Sequence, residues 1–434
     1  MEAGMTIAIF LGSLLGTMAI GMPIAFALLL CGMALMFHLD MFDAQIIAQN
    51  VINGADSFPL MAVPFFLLAG EIMNTGGLSK RIVNVALSLV GHVRGGLGYV
   101  AIMAGCLLSA LSGSAVADAA ALSALLVPMM VRAGHSRAHS AGLVSAAGCI
   151  GPVIPPSIGF ILFGVTGGLS ITKLFMAGIV PGLMLGAGLA VAWWWVVRNE
   201  TTKVPTELQV RASLGQIGRA VVDGIWALML PVIIIFGLKM GIFTPTEAAV
   251  VAVIYSLIVA CFVYRELKFS ALYGVLMTTA KTTGVVMFLI AAALVSAWLI
   301  TVADLPGKIV ELVEPLMGNP ILLMVAIMLL VVAIGTAMDM IPTILILTPV
   351  LLPVVKQAGI DPIYFGVLFI INCSIGLITP PVGTVLNVVA GVSKISMDEL
   401  MKGVCPFLLA QLIVLLLLVL FPPLVIVPMK FFMG

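Results

Sequence analysis

Two short stretches hold the polar side chains that a largely apolar sequence places deep within its hydrophobic runs. The first, SALSGSAVAD over residues 109–118, offers Ser109, Ser112, Gly113, Ser114 and Asp118. The second, GTAMDMIPT over 335–343, offers Gly335, Thr336, Met338, Asp339 and Thr343. Glycine lets backbone approach a ligand closely, and hydroxyl and carbonyl oxygens are suited to a hard cation. A carboxylate inside an apolar segment is costly, and by default it marks function. Each stretch is followed by a helix-breaking pair, Pro155–Pro156 in IGPVIPPSIGF (150–160) and Pro380–Pro381 in IGLITPP (375–381). Proline in a helix interior removes a donor and clashes with the preceding turn, at ~3 kcal/mol or more. Breaking a helix frees carbonyls that can coordinate a cation and leaves a half-helix N-terminus that attracts an anion. The pattern therefore predicts a cation site at each junction of polar tip and break. Site one takes Ser109, Ser112, Gly113 and Ser114 with carbonyls around Gly151; site two takes Gly335, Thr336, Met338 and Asp339 with Gly376 and Thr379. An anionic substrate is expected against Ser114, Asp118, Pro155, Pro156 and Ser157 of one half and Pro380, Pro381 and Thr384 of the other. The plainer reading of Ser114, Asp118 and Asp339 is helix capping, which is compatible with ion binding.

These residues need a membrane-embedded scaffold. The 434 residues are 62% hydrophobic and 9% charged, with mean hydropathy +1.29, whereas a soluble domain is about a quarter charged. The apolar runs are long and do not alternate, which favours spanning helices over a β-barrel. A net charge of +1 gives no basis for nucleic-acid binding. The six cysteines lie in apolar segments without CxxC spacing, and the four histidines form no ligand cluster, so no transition metal is expected. Residues 1–20 lack a basic n-region, so no cleavable leader is expected. Outside the tips, Thr244, Pro245 and Glu247 in TPTEAA form a capping box, Glu71 reads as a packing or snorkelling residue, and Lys281 as an interfacial snorkeller.

Lys and Arg concentrate in connections at 78–96, 132–139, 197–219 and 264–270; those at 38–56, 167–172 and 303–320 are acidic or neutral. The positive-inside rule then places both termini outside, with ten spans and two re-entrant hairpins, 97–132 and 320–355. Trp193, Trp194 and Trp195 read as interfacial aromatics. Residues 128–181 align with 353–406 without a gap, matching Pro128 with Pro353, Ile150–Gly151 with Ile375–Gly376, both Pro-Pro pairs, and Gly178 with Gly403. Opposite orientations of these copies, each with a broken helix, are the signature of a secondary transporter. The expected fold is an all-α polytopic membrane protein with two inverted repeats, each carrying a re-entrant helical hairpin and a Pro-Pro broken helix. The expected units are 1–96, scaffold and arm of repeat 1; 97–166, the first transport half; 167–222, connecting helix and cytoplasmic loop; 223–319, scaffold and arm of repeat 2; 320–392, the second transport half; and 393–434, the C-terminal helix.

SGSAVADAAAL (112–122), GPVIPPSI (151–158), TPTEAAVVAVIY (244–255) and TPPVGTVLNVV (379–389) resemble the large membrane (M) subunit of tripartite ATP-independent periplasmic (TRAP) transporters, over essentially the whole chain. That resemblance implies import of a carboxylate such as a C4-dicarboxylate or sialic acid across the bacterial inner membrane. It implies coupling to Na+, an elevator mechanism of the ion-transporter superfamily kind, a small membrane subunit (Q) and a periplasmic substrate-binding protein (P). No four-helix segment precedes residue 1, so Q is expected as a separate chain. A channel, a self-sufficient symporter and an intramembrane aspartyl protease using Asp118 and Asp339 are the alternatives. The protease reading leaves the paired breaks unexplained, and opposed hairpins in one chain favour alternating access over a pore.

Overall fold

The computed structural model describes residues 2–199, 211–336, 338–380 and 383–433; the side chains of residues 2–4, 7, 109–112 and 312 lie outside that description. The described chain is helical throughout. It opens with α1 (Glu2–Ala19), α2 (Ile24–His38), α3 (Ala44–Ala55), α4 (Ala62–Thr75, preceded by a 3-10 turn at Phe58–Met61) and α5 (Leu78–Val90). Next come α6 (Gly96–Ser112), α7 (Ala115–Arg132), α8 (Arg137–Gly148), α9 (Ile158–Gly167) and α10 (Ile171–Asn199). The second half holds α11 (Leu214–Lys239), α12 (Pro245–Ile258, continued by a π turn at Val259–Val263), α13 (Phe269–Val302) and α14 (Leu305–Met317). It then runs through α15 (Pro320–Gly335), α16 (Met340–Gln357), α17 (Pro362–Gly376), α18 (Thr384–Ser393), α19 (Met397–Leu420) and α20 (Pro423–Met433). Among the described residues, eight helices are long and apolar enough to cross a membrane, the longest being α13 with 34 residues.

The core lies around α8 and α17. Residues 140–164 are buried without interruption, as are 363–378. The first break, 149–157, therefore sits inside protein, where non-helical backbone at membrane depth is tolerated. α8 is built from small residues, which bring backbones together: a Cβ on Gly403 of α19 would come within 2.1 Å of the Ala138 carbonyl oxygen. At the centre Ser374 Oγ donates to the Cys149 carbonyl at 2.5 Å, joining positions 225 residues apart. The same interval separates Ala115–Arg132 from Met340–Gln357, the full extents of α7 and α16. Second halves of the broken helices pack crosswise, α9 on α16 and α18 on α7.

Several connections read as loops are helices. α3 lies within 38–56, α5 within 78–96 and α14 within 303–320; α11 and α13 begin at Leu214 and Phe269, well before the expected spans, and the C-terminal segment is two helices. Amphipathicity explains α5: Leu78, Ile82, Val83, Val85 and Ala86 are buried on one face, while Lys80 and Arg81 give it the charge of a loop. Arg81 ties this helix to its neighbours. Its guanidinium lies 2.7 Å from Glu266 and 3.3 Å from Asp223, with its central carbon 3.7 Å from the Tyr264 ring centroid. Burial opposes that charge, but Glu266 and then Asp223 outweigh it, raising the Arg81 pKa above its ordinary value. Trp193 is also not interfacial: it is fully buried, whereas Trp194 and Trp195 are exposed.

Candidate functional site

In the first half the tip meets the break. Gly113 adopts φ +59, and a Cβ there would stand 3.2 Å from both the Pro156 carbonyl oxygen and the Ile158 nitrogen. Glycine thus serves both the left-handed turn and the close approach. Ser114 caps α7, its Oγ accepting from Ala117 N at 3.4 Å. Asp118 is buried in the first turn of α7, and a Cβ on Gly151 would lie 3.0 Å from its Oδ2. The carboxylate therefore stands beside the residue expected to supply site-one carbonyls. Ser157 caps α9 by accepting from Phe160 N at 3.3 Å and itself donates to the Pro152 carbonyl, so its hydroxyl holds the break together. Pro155 and Pro156 are buried with it. The side chains of Ser109 and Ser112 fall outside the described residues.

The second half uses the same parts differently. Gly335, closing α15, lies against Gly376, closing α17; a Cβ on Gly376 would come 2.8 Å from Gly335 Cα. Asp339 occupies the N-cap position of α16, yet its carboxylate makes no capping bond. Instead Thr384 Oγ1, at the start of α18, donates to Asp339 Oδ1 at 3.3 Å. Thr343 Oγ1 donates to the Asp339 carbonyl at 2.8 Å. Met338 is buried beside it. Thr336 and Thr379 turn back on their own helices, donating at 2.8 Å to Ala333 and Ile375 carbonyls and leaving oxygen lone pairs available. Pro380 is half-buried, and Pro381 falls outside the described residues.

Position 339 follows 114 by the same 225 residues, and 343 follows 118. One tip thus pairs a capping hydroxyl with a first-turn acid, and the other pairs an acid at the cap position with a first-turn hydroxyl. Each junction holds one carboxylate among neutral oxygens, a donor set that fits a small hard cation. The structure also brings in residues that sequence reasoning missed. Asn372 Nδ2 donates to the Met328 carbonyl at 2.6 Å, and Gln411 Nε2 to the Ala146 carbonyl at 2.9 Å, leaving their side-chain carbonyl oxygens buried without a hydrogen-bond partner. A buried amide in an otherwise apolar helix was the available signal. Thr244 and Glu247 form the expected capping box, with Thr244 N donating to Glu247 Oε2 at 2.8 Å.

A helix interrupted within the protein core at 149–157 and a second interrupted after Gly376, each near an inter-helical tip, describe a polytopic membrane protein of transporter type. The overall fold matches the crystal structure of the Alcanivorax borkumensis YdaH transporter, with TM-score 0.64 over 87% of this chain and 89% of that one, at 17% identity. The family model described as the tripartite ATP-independent periplasmic transporter DctM component matches residues 11–424, so the chain belongs to that family. It is 58% identical to the 2,3-diketo-L-gulonate TRAP transporter large permease protein YiaN of Escherichia coli K12, over 98% of this chain and 99% of the relative. It is 39% identical to the isethionate TRAP transporter permease protein DctMQ of Oleidesulfovibrio alaskensis, over 96% of this chain and 65% of that longer protein. These relatives are permease subunits, and this chain is a transport protein rather than an enzyme.

Proposed function

We propose that this chain is the translocating subunit of a Na+-coupled importer for a small organic acid, working by elevator-type alternating access in the bacterial inner membrane with both termini periplasmic. The observation that carries this reading is the Asp339–Thr384 contact, in which an acid placed to cap one helix reaches the start of the second broken helix instead. Such a carboxylate is available to a cation that binds when tip and break are together. Offset α7 and α16 boundaries and the matched breaks support two inverted repeats, with 97–132 and 320–355 as re-entrant hairpins. Half-helix N-termini at Ser157 and Thr384 suit an anionic substrate. A sugar acid and a sulfonate in the names of relatives agree with an organic anion as the cargo class.

A small membrane subunit, as a separate chain, and a periplasmic binding protein complete this assembly. Uptake by this chain and its small subunit in liposomes, driven by an inward Na+ gradient, should be negligible until the loaded binding protein is added outside. Robust Na+-driven uptake without the binding protein would make this chain a self-sufficient symporter. Saturable flux with no Na+ requirement would remove the coupling ion.

A further inference from the structure

The turn between α5 and α6 and the end of α10 build a feature that transport chemistry does not use. Gly95, at φ +70, lies under Trp193, whose Nε1 donates to the Gly95 carbonyl at 2.7 Å. A Cβ on Gly98 would come within 2.1 Å of the indole, so only bare backbone fits there. This clamp sets Arg94 beside the C-terminal turn of α10. Arg94 Nη2 donates to the Val197 carbonyl at 3.4 Å, and Arg198 lies 5.3 Å from the Trp194 ring centroid. Arg94, Arg198, Tyr99 and Trp194 line a cleft of about 340 Å³. Val93 and Tyr99 also line a second groove of about 570 Å³, which continues between α6 and α10 past Met103, Leu183 and Ala187. Its lining is almost wholly apolar, and among the described residues no charged one lines it. The two spaces share Val93 and Tyr99 as lining, so a cationic cleft and a hydrocarbon-lined groove lie side by side as an amphipathic slot.

We propose that this slot binds one anionic phospholipid, its phosphate between Arg94 and Arg198 and an acyl chain in the groove between α6 and α10. Guanidinium groups match phosphate oxygens in geometry as well as charge, and Trp and Tyr beside them belong at headgroup level. A free anion has no use for the groove, and a zwitterionic lipid gains less from two cations. On the charge reading this end faces the cytoplasm, where basic pockets between helices take anionic headgroups.

The test uses the delipidated full chain in detergent, with lipid binding measured by native mass spectrometry and thermal shift. The probes are dioleoylphosphatidylglycerol, dioleoylphosphatidylcholine and glycerol 3-phosphate. The phosphatidylglycerol should bind roughly tenfold or more tightly than the phosphatidylcholine, since each basic residue near an anionic headgroup contributes substantially. Arg94→Gln with Arg198→Gln should abolish that preference, and Arg94→Lys with Arg198→Lys should retain much of it. Ala187→Phe keeps both arginines and fills the groove; it should weaken both lipids while leaving their ratio unchanged. Equal binding of the two lipids, a preference surviving the glutamine pair, or undiminished binding in Ala187→Phe overturns the proposal. Glycerol 3-phosphate binding as tightly as the phospholipid also overturns it, leaving a free-anion site.

Discussion

At Asp339 the partner of the carboxylate distinguishes capping from binding. An N-cap carboxylate normally accepts from the second or third amide of its helix. Here Thr384, 45 residues away, takes the interaction, while Ser114 at the corresponding position of the first tip does cap its helix. A cation ligand must keep an oxygen free of its own helix, and Asp339 does. Asp339→Asn should therefore raise the Na+ concentration for half-maximal uptake by about tenfold or more, since contacts to a charged group are worth ~1.5–3 kcal/mol. Glu247→Ala breaks only the capping box of α12 and should leave the Na+ curve in place while lowering thermal stability. A wild-type Na+ curve for Asp339→Asn would remove it from the ligand set.

Helix packing is decided by where side chains are missing. Gly403 lets α19 rest on α8, and the atoms a new methyl would meet belong to the Ala138 backbone, which cannot swing aside. Gly403→Ala should cost ~1–3 kcal/mol, read as a lower unfolding temperature, because overpacked interfaces must shift backbone. Gly391 in α18 is the control: a Cβ there meets nothing within 4 Å. Gly391→Ala should be neutral or slightly stabilising, because alanine is the better helix former. Equal losses in the two variants would mean that the α8–α19 contact is not the tight one.

Across the whole molecule, α9 rests on α16 and α18 on α7, while α4 also touches α6. On the reading proposed above, this crossed packing lets the blocks 97–166 and 320–392 travel as one body, each holding the other's hairpin arm. In an elevator that body slides past α4 and its neighbours. In a cysteine-free background, a disulfide between α7 and α18 should leave uptake near wild type, and one between α4 and α6 should arrest it until reduced. The opposite pattern would mean that the two blocks separate during transport and that α6 does not move against α4.

Some of this was determined locally and some was not. Composition alone required a membrane protein, because 9% charged residues cannot cover a water-facing surface. The polar tips and proline breaks were legible because glycine, serine and proline act on their own turn and its nearest neighbours. The Thr244–Glu247 box was legible for the same reason. Helices α3, α5 and α14 were not, because their polar faces carry the charge and turn residues of a loop, and only packing of the other face, buried in α5 and partly buried in α3 and α14, reveals them. Trp193 beside Arg198 looks interfacial in sequence; the α5–α6 turn, nearly a hundred residues upstream, folds over it and makes it core. The bond from Ser374 to Cys149 and the reach of Thr384 to Asp339 join distant segments. Short-range rules end at about one helical turn, so these contacts were decided only when the two halves packed together.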